Sequence, residues 1–428
     1  MSLSAEQYIL SIPLFNQEKH SLLTLKHFLI FLGEPQSGKK IIHVAGTNGK
    51  GSVCAFLESI LRASGVKTGL FTSPHLISMR ERIRINNDIV TEEVFNAAFE
   101  LIKEKIDAFR KVENNDFHPT FFEFLFLMAM VIFKDADVEY VILETGLGGR
   151  LDATNAIDEK ILTVITKISF DHMEYLGATL LAIAAEKAGI MRPSVPVVSS
   201  CQEDGVTAFL REKASEYGSK FAVINNSAIK IHELAIKSID FSFQYRYDRI
   251  VRLLLPTKAI YQTENAALAI NSALLLNDER ISLSSISAGL VKTVWRGRME
   301  EIHQGVIFDG AHNEDGIKAF ITSVKAIPLR GKRFLLFGGV REKRSNEIVG
   351  LLRRENIFDE IIACPLKNKR SLRIDELLIL FNKEQVFTDT QSALTYLNNK
   401  KQTTDLIFIT GSLYLYEEAG NFVVDPNN

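Results

Sequence analysis

The chain has 428 residues, more than one hydrophobic core usually holds, so two or three domains are expected. Its 46% apolar and 24% charged residues are those of a soluble globular protein. Fifty basic side chains nearly balance fifty-two acidic ones without a long like-charge block, so global charge gives no support to a nucleic-acid or membrane-surface partner.

The N-terminus, "MSLSAEQYILSIPLF", lacks a basic region followed by a small-residue cleavage site, so no signal peptide is expected. The first strong signal is "KIIHVAGTNGKGSVCAFLESILRASG", Lys40 to Gly65. An apolar run from Ile41 to Ala45 breaks into a glycine-punctuated loop. Beyond it Val53, Phe56, Leu57, Ile60 and Leu61 recur at helical spacing. This reads as strand, tight loop and amphipathic helix. Glycines let backbone N–H groups turn toward an anion, and the helix start adds its positive dipole end. Lys50 supplies a charge for phosphates and Ser52 a hydroxyl near a metal. The strict phosphate-loop pattern would need glycine at Val44 and none between lysine and serine, so this is a variant loop.

Further apolar runs follow: "KTGLF" (Lys67 to Phe71), "VEYVILE" (Val138 to Glu144), "ILTVIT" (Ile161 to Thr166) and "VPVVS" (Val195 to Ser199). Helical patterns between them, such as Glu92 to Lys111 and Thr179 to Ala188, predict right-handed crossovers and a mainly parallel sheet. The runs are continuously apolar, as strands covered on both faces are. The most apolar stretch, Phe121 to Phe133, is too short to span a bilayer and carries Glu123, so it predicts a buried helix. Near Asn225 the texture changes. "DFSFQYRYD", Asp240 to Asp248, alternates at period two and predicts antiparallel strands. After "WRGRMEEI" the α/β rhythm returns. The expected architecture is therefore α/β. A mainly parallel, phosphate-loop-type N-terminal domain with a small antiparallel sheet, residues 1–297, precedes a smaller, Rossmann-like α/β domain, residues 298–428. Cys54, Cys201 and Cys364 lie far apart without metal spacing, which fits a reducing cytosol.

Four stretches place chemistry at strand ends: "FTSPHL", "ETGLGGRLDATN" with Glu144 at the tip, "SFDHMEYLG" with Asp171 and His172, and "AAEKAGI" with Lys187 late in a helix. All converge on the sheet edge that carries the phosphate loop. "GLGGR" is not a dinucleotide fingerprint, because its glycine spacing departs from G-x-G-x-x-G and no amphipathic helix follows.

These stretches occur in order with "ERIRIN", "ENAALAI", "WRGR", "FDGAHN" and "TGSLYL". Together they resemble the set found in folylpolyglutamate synthase and dihydrofolate synthase, members of the Mur ligase superfamily, over nearly the whole chain. The resemblance implies that Gly49, Lys50, Gly51 and Ser52 bind the ATP phosphates. It implies that Ser73, Glu144 and His172 are magnesium ligands. Lys187 is implied to carry a CO2-derived carbamate that helps hold a second magnesium ion. Asn265, Arg298 and Asp309 are implied to contact ATP, with His312 near the phosphates. Phe121, Phe122 and Glu123, together with Leu151, Asp152 and Ala153, resemble the folate side. The implied reaction is ATP-dependent ligation of L-glutamate to a folate carboxylate, through an acyl phosphate, with dihydropteroate as a further candidate substrate. A cytoplasmic monomer is expected. One departure stands out: where the family has an acidic turn, this chain has Arg341, Lys343 and Arg344. A Mur-type ligase of UDP-muramyl peptides is disfavoured by the glycine in "GKGS". A nucleotide-hydrolysing switch would not explain the remaining motifs.

Overall fold

The structure, a computed structural model, describes residues 4–13, 22–235, 237–246, 249–328, 330–341 and 344–422. Two compact units are present, and the division is not a single cut. One gathers residues 1–168, 173–228 and 264–293; the other gathers 169–172, 229–263 and 294–428.

The first unit is built on an eight-stranded sheet. Its strands are β1 (Lys40–Ala45), β2 (Thr68–Phe71), β3 (Ile83–Ile85), β4 (Asp88–Ile89), β5 (Tyr140–Glu144), β6 (Leu162–Ile165), β7 (Val197–Ser200) and β8 (Phe221–Ile224). The spatial order is β4-β3-β2-β5-β1-β6-β7-β8. The pairs from β2 across to β8 are all parallel, whereas β3 and β4 close one edge as an antiparallel hairpin. Central strand β1 is buried from Ile41 to Ala45, which accounts for a run that is apolar except at His43.

Helix Phe121–Asp135 is the buried helix its composition predicts. Thr120 and Glu123 form a capping box at its start. Phe124, Phe126 and Phe133 are fully enclosed, and each contributes about 2–3 kcal/mol of apolar burial. No helix among the described residues is long and apolar enough to cross a membrane.

The second unit holds two sheets. Strands β9 (Ile229–Leu234), β10 (Ile239–Arg246) and β11 (Arg249–Leu255) form an antiparallel sheet, as the alternating pattern predicts. Tyr247 and Asp248, the end of that pattern, lie outside the described residues. Strands β12 (Glu300–His303), β13 (Val306–Phe308), β14 (Arg333–Phe337), β15 (Glu360–Ala363) and β16 (Leu406–Thr410) form a sheet in the order β12-β13-β16-β14-β15. Only β12 runs antiparallel. In the basic turn, Arg341 pairs with Glu376 and Arg344 with Glu347, so local acids absorb both charges; Lys343 lies outside the described residues.

Within the first unit, helix Lys50–Ala63 packs against helix Leu283–Lys292. Ser59 Oγ donates to the Gly289 carbonyl at 2.8 Å, and Ser64 and Ser285 share a 2.8 Å hydroxyl bond. A first side-chain carbon at Gly289 would lie 2.6 Å from Cα of Ile60, backbone that cannot rotate away. Gly289→Ala gains about 1 kcal/mol of helix propensity. Forcing the helices apart costs about 1–3 kcal/mol, and this term wins. Thermal unfolding of Gly289→Ala should therefore show a lower Tm than the parent; an equal or higher Tm would show that the helices part freely.

Candidate active site

The phosphate loop leaves β1 at Gly46 and enters its helix at Gly49. Gly49 has φ of 90°, a left-handed conformation that favours glycine. A first side-chain carbon there would also lie 2.3 Å from Oδ1 of Asn265 and would displace that side chain. Asn265, expected to serve the nucleotide, thus lies directly against the loop. The loop is held from β6: the Lys167 carbonyl accepts the amides of Thr47 at 2.8 Å and Asn48 at 3.2 Å. Lys50 folds back so that Nζ donates to the Thr47 carbonyl at 3.1 Å. Ser52 is buried in the first helical turn. A helix start presents N–H groups without intrahelical acceptors, and here a lysine joins them, an arrangement suited to cradling an anion.

A carboxylate and the backbone of a serine meet at the end of β5. Glu144, buried at the tip of β5, accepts the Ser73 amide at 3.0 Å. Carboxylate and hydroxyl oxygens suit magnesium, which keeps several waters and needs no all-protein cage. Cys54 lies within electrostatic reach of Glu144 and Lys50, and burial pushes its thiol pKa well up, so it stays a neutral packing group.

Lys187 is 3% exposed, and its Nζ donates to the Gly46 carbonyl at 2.7 Å. Its helix, Leu180–Ala188, is clamped by the "GLGGR" loop. The Arg150 amide donates to the Glu186 carbonyl at 2.7 Å, and the Arg150 guanidinium pairs with the Glu186 carboxylate at 2.9 Å. At Gly149 a side chain would strike the same carbonyl, at 2.7 Å. Asn155 Nδ2 bridges the carbonyls of Arg150 and Gly189 at 3.0 and 3.1 Å.

The expected folate residues divide by environment. The Phe122 ring packs on Phe71 with centroids 5.4 Å apart. Phe121 is buried under the guanidinium of Arg82, 5.2 Å from its ring centroid. Arg82 also donates to Nδ1 of His75 at 2.9 Å, and burial beside this cation lowers the His75 pKa to about 4, so the ring is neutral at pH 7. Glu123 caps its own helix by accepting the Thr120 amide at 2.7 Å. Leu151 is half exposed, Ala153 is buried, and both oxygens of Asp152 accept from donors inside their own loop. Arg82, His75 and Thr154 carry no role in the sequence reading, although "ERIRIN" and "FTSPHL" contain the first two.

The second unit arranges its own set. Asp309, at the end of β13, accepts from Tyr261 Oη at 2.5 Å, the Met299 amide at 3.0 Å and the Ala311 amide at 2.9 Å. Burial raises its pKa, and the neighbouring Arg298 opposes that rise. His312 bonds through Nδ1 to the Gly310 carbonyl at 2.8 Å and turns Nε2 toward Asp171 at 3.6 Å. Asp171 also receives Asn313 Nδ2 at 3.1 Å and the amide of His172 at 2.8 Å. His172 stands at φ of 49°. Among the described residues, no group of three or more His, Cys, Asp and Glu could hold a metal on its own.

The Mur ligase middle domain matches residues 44–273, and the Mur ligase glutamate ligase domain matches residues 297–413. The chain belongs to the Mur ligase family. Among curated proteins, this Mur ligase is 33% identical over 412 residues to the dihydrofolate synthase/folylpolyglutamate synthase of Bacillus subtilis, covering 94% of each. It resembles the solved Mycobacterium tuberculosis folylpolyglutamate synthase complexed with ADP and AMPPCP, with a TM-score of 0.87, 27% identity and 98% of each chain covered. A solved FPGS–AMPPCP–folate complex matches with a TM-score of 0.83 and 28% identity over 97% of each chain. The fold expected from the sequence and the family resemblance both agree with these likenesses.

Because Lys50 is the charge of the anion cradle, Lys50→Ala should leave the fold intact and lower turnover at least about a hundredfold. Near-normal ADP release by a folded variant would remove the phosphate-loop assignment.

Proposed function

We propose that this chain joins L-glutamate to a folate carboxylate at the expense of ATP, with dihydropteroate as an alternative acceptor. The observation that carries this reading is the gathering of Gly49–Ser52, Asn265, the Ser73–Glu144 pair and Lys187 around one loop, in a chain that matches folate ligases over almost its whole length.

A carboxylate is a poor electrophile because oxide does not leave. Phosphorylation supplies the leaving group. A folate carboxylate oxygen attacks the γ-phosphorus, the bond to the ADP oxygen breaks, and an acyl phosphate forms. The glutamate amine, having lost a proton, attacks the acyl carbon, and phosphate departs. The cradle of backbone N–H groups and Lys50 holds the triphosphate and offsets charge on the transferring group, which is chiefly positioning and electrostatics. Asn265, resting on Gly49, fixes the nucleotide side of the loop. In the second unit, Arg298 and Asp309 are assigned to nucleotide binding and His312 to the phosphates. On the acceptor side, Phe121, Phe122, Leu151 and Ala153 offer apolar surface to the folate, while Glu123 and Asp152 shape their segments.

Glu144 and Ser73 are assigned to magnesium, with His172 as a further ligand. Bound there, the ion would neutralise phosphoryl charge. Lys187 fits a carbamate: a carbamate nitrogen keeps one N–H, which preserves the bond to Gly46, and its two oxygens would replace a cation beside a divalent ion. The enzyme is assigned as a cytoplasmic monomer, which size-exclusion chromatography with light scattering checks.

The deciding experiment is a coupled ADP-release assay with tetrahydrofolate, then dihydropteroate, each with and without L-glutamate. Release that needs both acceptor and glutamate is expected; release from ATP alone would sink the ligase reading. Glu144→Ala should abolish activity or raise the magnesium requirement at least about tenfold, since the metal loses its carboxylate. An unchanged magnesium titration would take Glu144 out of the site. Lys187→Ala should be nearly inactive, and short carboxylic acids in the buffer should restore part of the rate. A carbon-13 spectrum under labelled bicarbonate that shows only a bare amine would rule the carbamate out.

A further inference from the structure

His43 stands in the middle of β1, fully buried, between apolar neighbours. Its Nε2 lies 2.7 Å from Oγ1 of Thr154. That hydroxyl lies 2.5 Å from Oδ1 of Asp152, which also accepts the Thr154 amide at 3.0 Å. Oδ2 of the same carboxylate accepts the amides of Gly146 and Leu147 at 2.8 and 2.9 Å.

Donor counting fixes the direction of each bond. A threonine hydroxyl has one hydrogen, and the carboxylate, already accepting amide hydrogens on both oxygens, takes it. The hydroxyl must then accept from His43, so Nε2 carries the proton. Burial, reinforced by Lys160 and Arg192, holds the ring neutral. The result is a relay, a chain of fixed polarity in which His43 donates to Thr154 and Thr154 to Asp152, the carboxylate on which the amides of Gly146 and Leu147 also converge.

We infer that His43 is a positioning residue for the folate substrate, fixing the 146–154 loop through Thr154 and Asp152 without touching substrate itself. This rests on the folate reading of that loop. The relay bears on this side of the site selectively. The phosphate loop has separate anchors in Lys167 and Lys187, which loss of the His43 proton leaves in place. Asp152, by contrast, ties both ends of the 146–154 loop, and its partner hydroxyl is oriented from β1.

The test uses the full chain with three variants: His43→Phe removes the donor, Thr154→Val removes only the hydroxyl, and His43→Gln retains an N–H able to reach Thr154. Loss of the relay should raise KM for the folate substrate about tenfold while KM for ATP stays within about twofold, since one oriented hydrogen bond is lost on one side of the site. His43→Phe combined with Thr154→Val should be no worse than either alone, and His43→Gln should stay within about threefold of the parent. Hydrogen exchange at Gly146 and Leu147 should quicken about tenfold in His43→Phe and Thr154→Val, with residues 47–52 unchanged. Thr154→Val is nearly isosteric and keeps the test open if His43→Phe does not fold. An unchanged folate KM, an equal rise in both KM values, or additive effects overturn the inference. If the parent shows no folate-dependent turnover, the functional reading fails on its own; unchanged exchange in both variants then overturns the relay, and faster exchange supports it.

Discussion

The carbonyl oxygen of Lys167 accepts two successive amide hydrogens, from Thr47 and Asn48, and the rest of the site is arranged around that clasp. A loop rich in glycine loses more conformational freedom on ordering than any other, so its shape must be imposed from outside. The end of β6 imposes it on one flank and Lys187, through the Gly46 carbonyl, on another. Lys167 is itself held, since its Nζ reaches the Cys201 carbonyl at 3.1 Å, and Gln202 bonds both the Ile168 amide and the Thr166 carbonyl. The loop's shape is thus set by the turns after β6 and β7 and by a helix lysine, so an anion taken up there need not supply the ordering cost.

The same principle governs the loop after β5, with buried polar groups as its anchors. Lys160, whose pKa burial drives well down, donates to the Asn155 side chain at 2.7 Å and to the Ile190 carbonyl at 3.1 Å. Arg192 reaches the same asparagine oxygen at 3.0 Å. Such a network is costly if any member lacks a partner and rigid when all are satisfied. Here it welds the loop after β5 to the turn after helix Leu180–Ala188.

Much of this was written in the sequence as period and punctuation. The runs at 67–71, 138–144, 161–166 and 195–199 became β2, β5, β6 and β7 with ends moved by two residues or fewer, because fully covered strands need no alternation to be legible. The β3–β4 hairpin escaped notice, since its strands are too short to show a period. Its signal was present in Asn86 and Asn87, whose φ values of 52° and 71° are those of a two-residue hairpin turn. For the site, motifs gave the residue types but not their pairings. Nothing in "EKAGI" says that its lysine reaches a carbonyl 141 residues earlier. His43 was hidden by its neighbours: one polar residue in an apolar strand reads as filler until its partner, 111 residues away, is known.

The close approach at Gly289 has a consequence for how the chain is made. Helix Lys50–Ala63 buries ten of its fourteen residues, Glu58 among them, and part of that cover comes from helix Leu283–Lys292. The Ser59–Gly289 bond spans 230 residues. At ribosomal speed this separates the two partners by about 10–45 s of synthesis. Throughout that interval the nascent phosphate-loop helix lacks the partner that covers this flank in the folded chain. Helix Lys50–Ala63 must therefore stay soluble until a partner made much later in the chain arrives to pack on it.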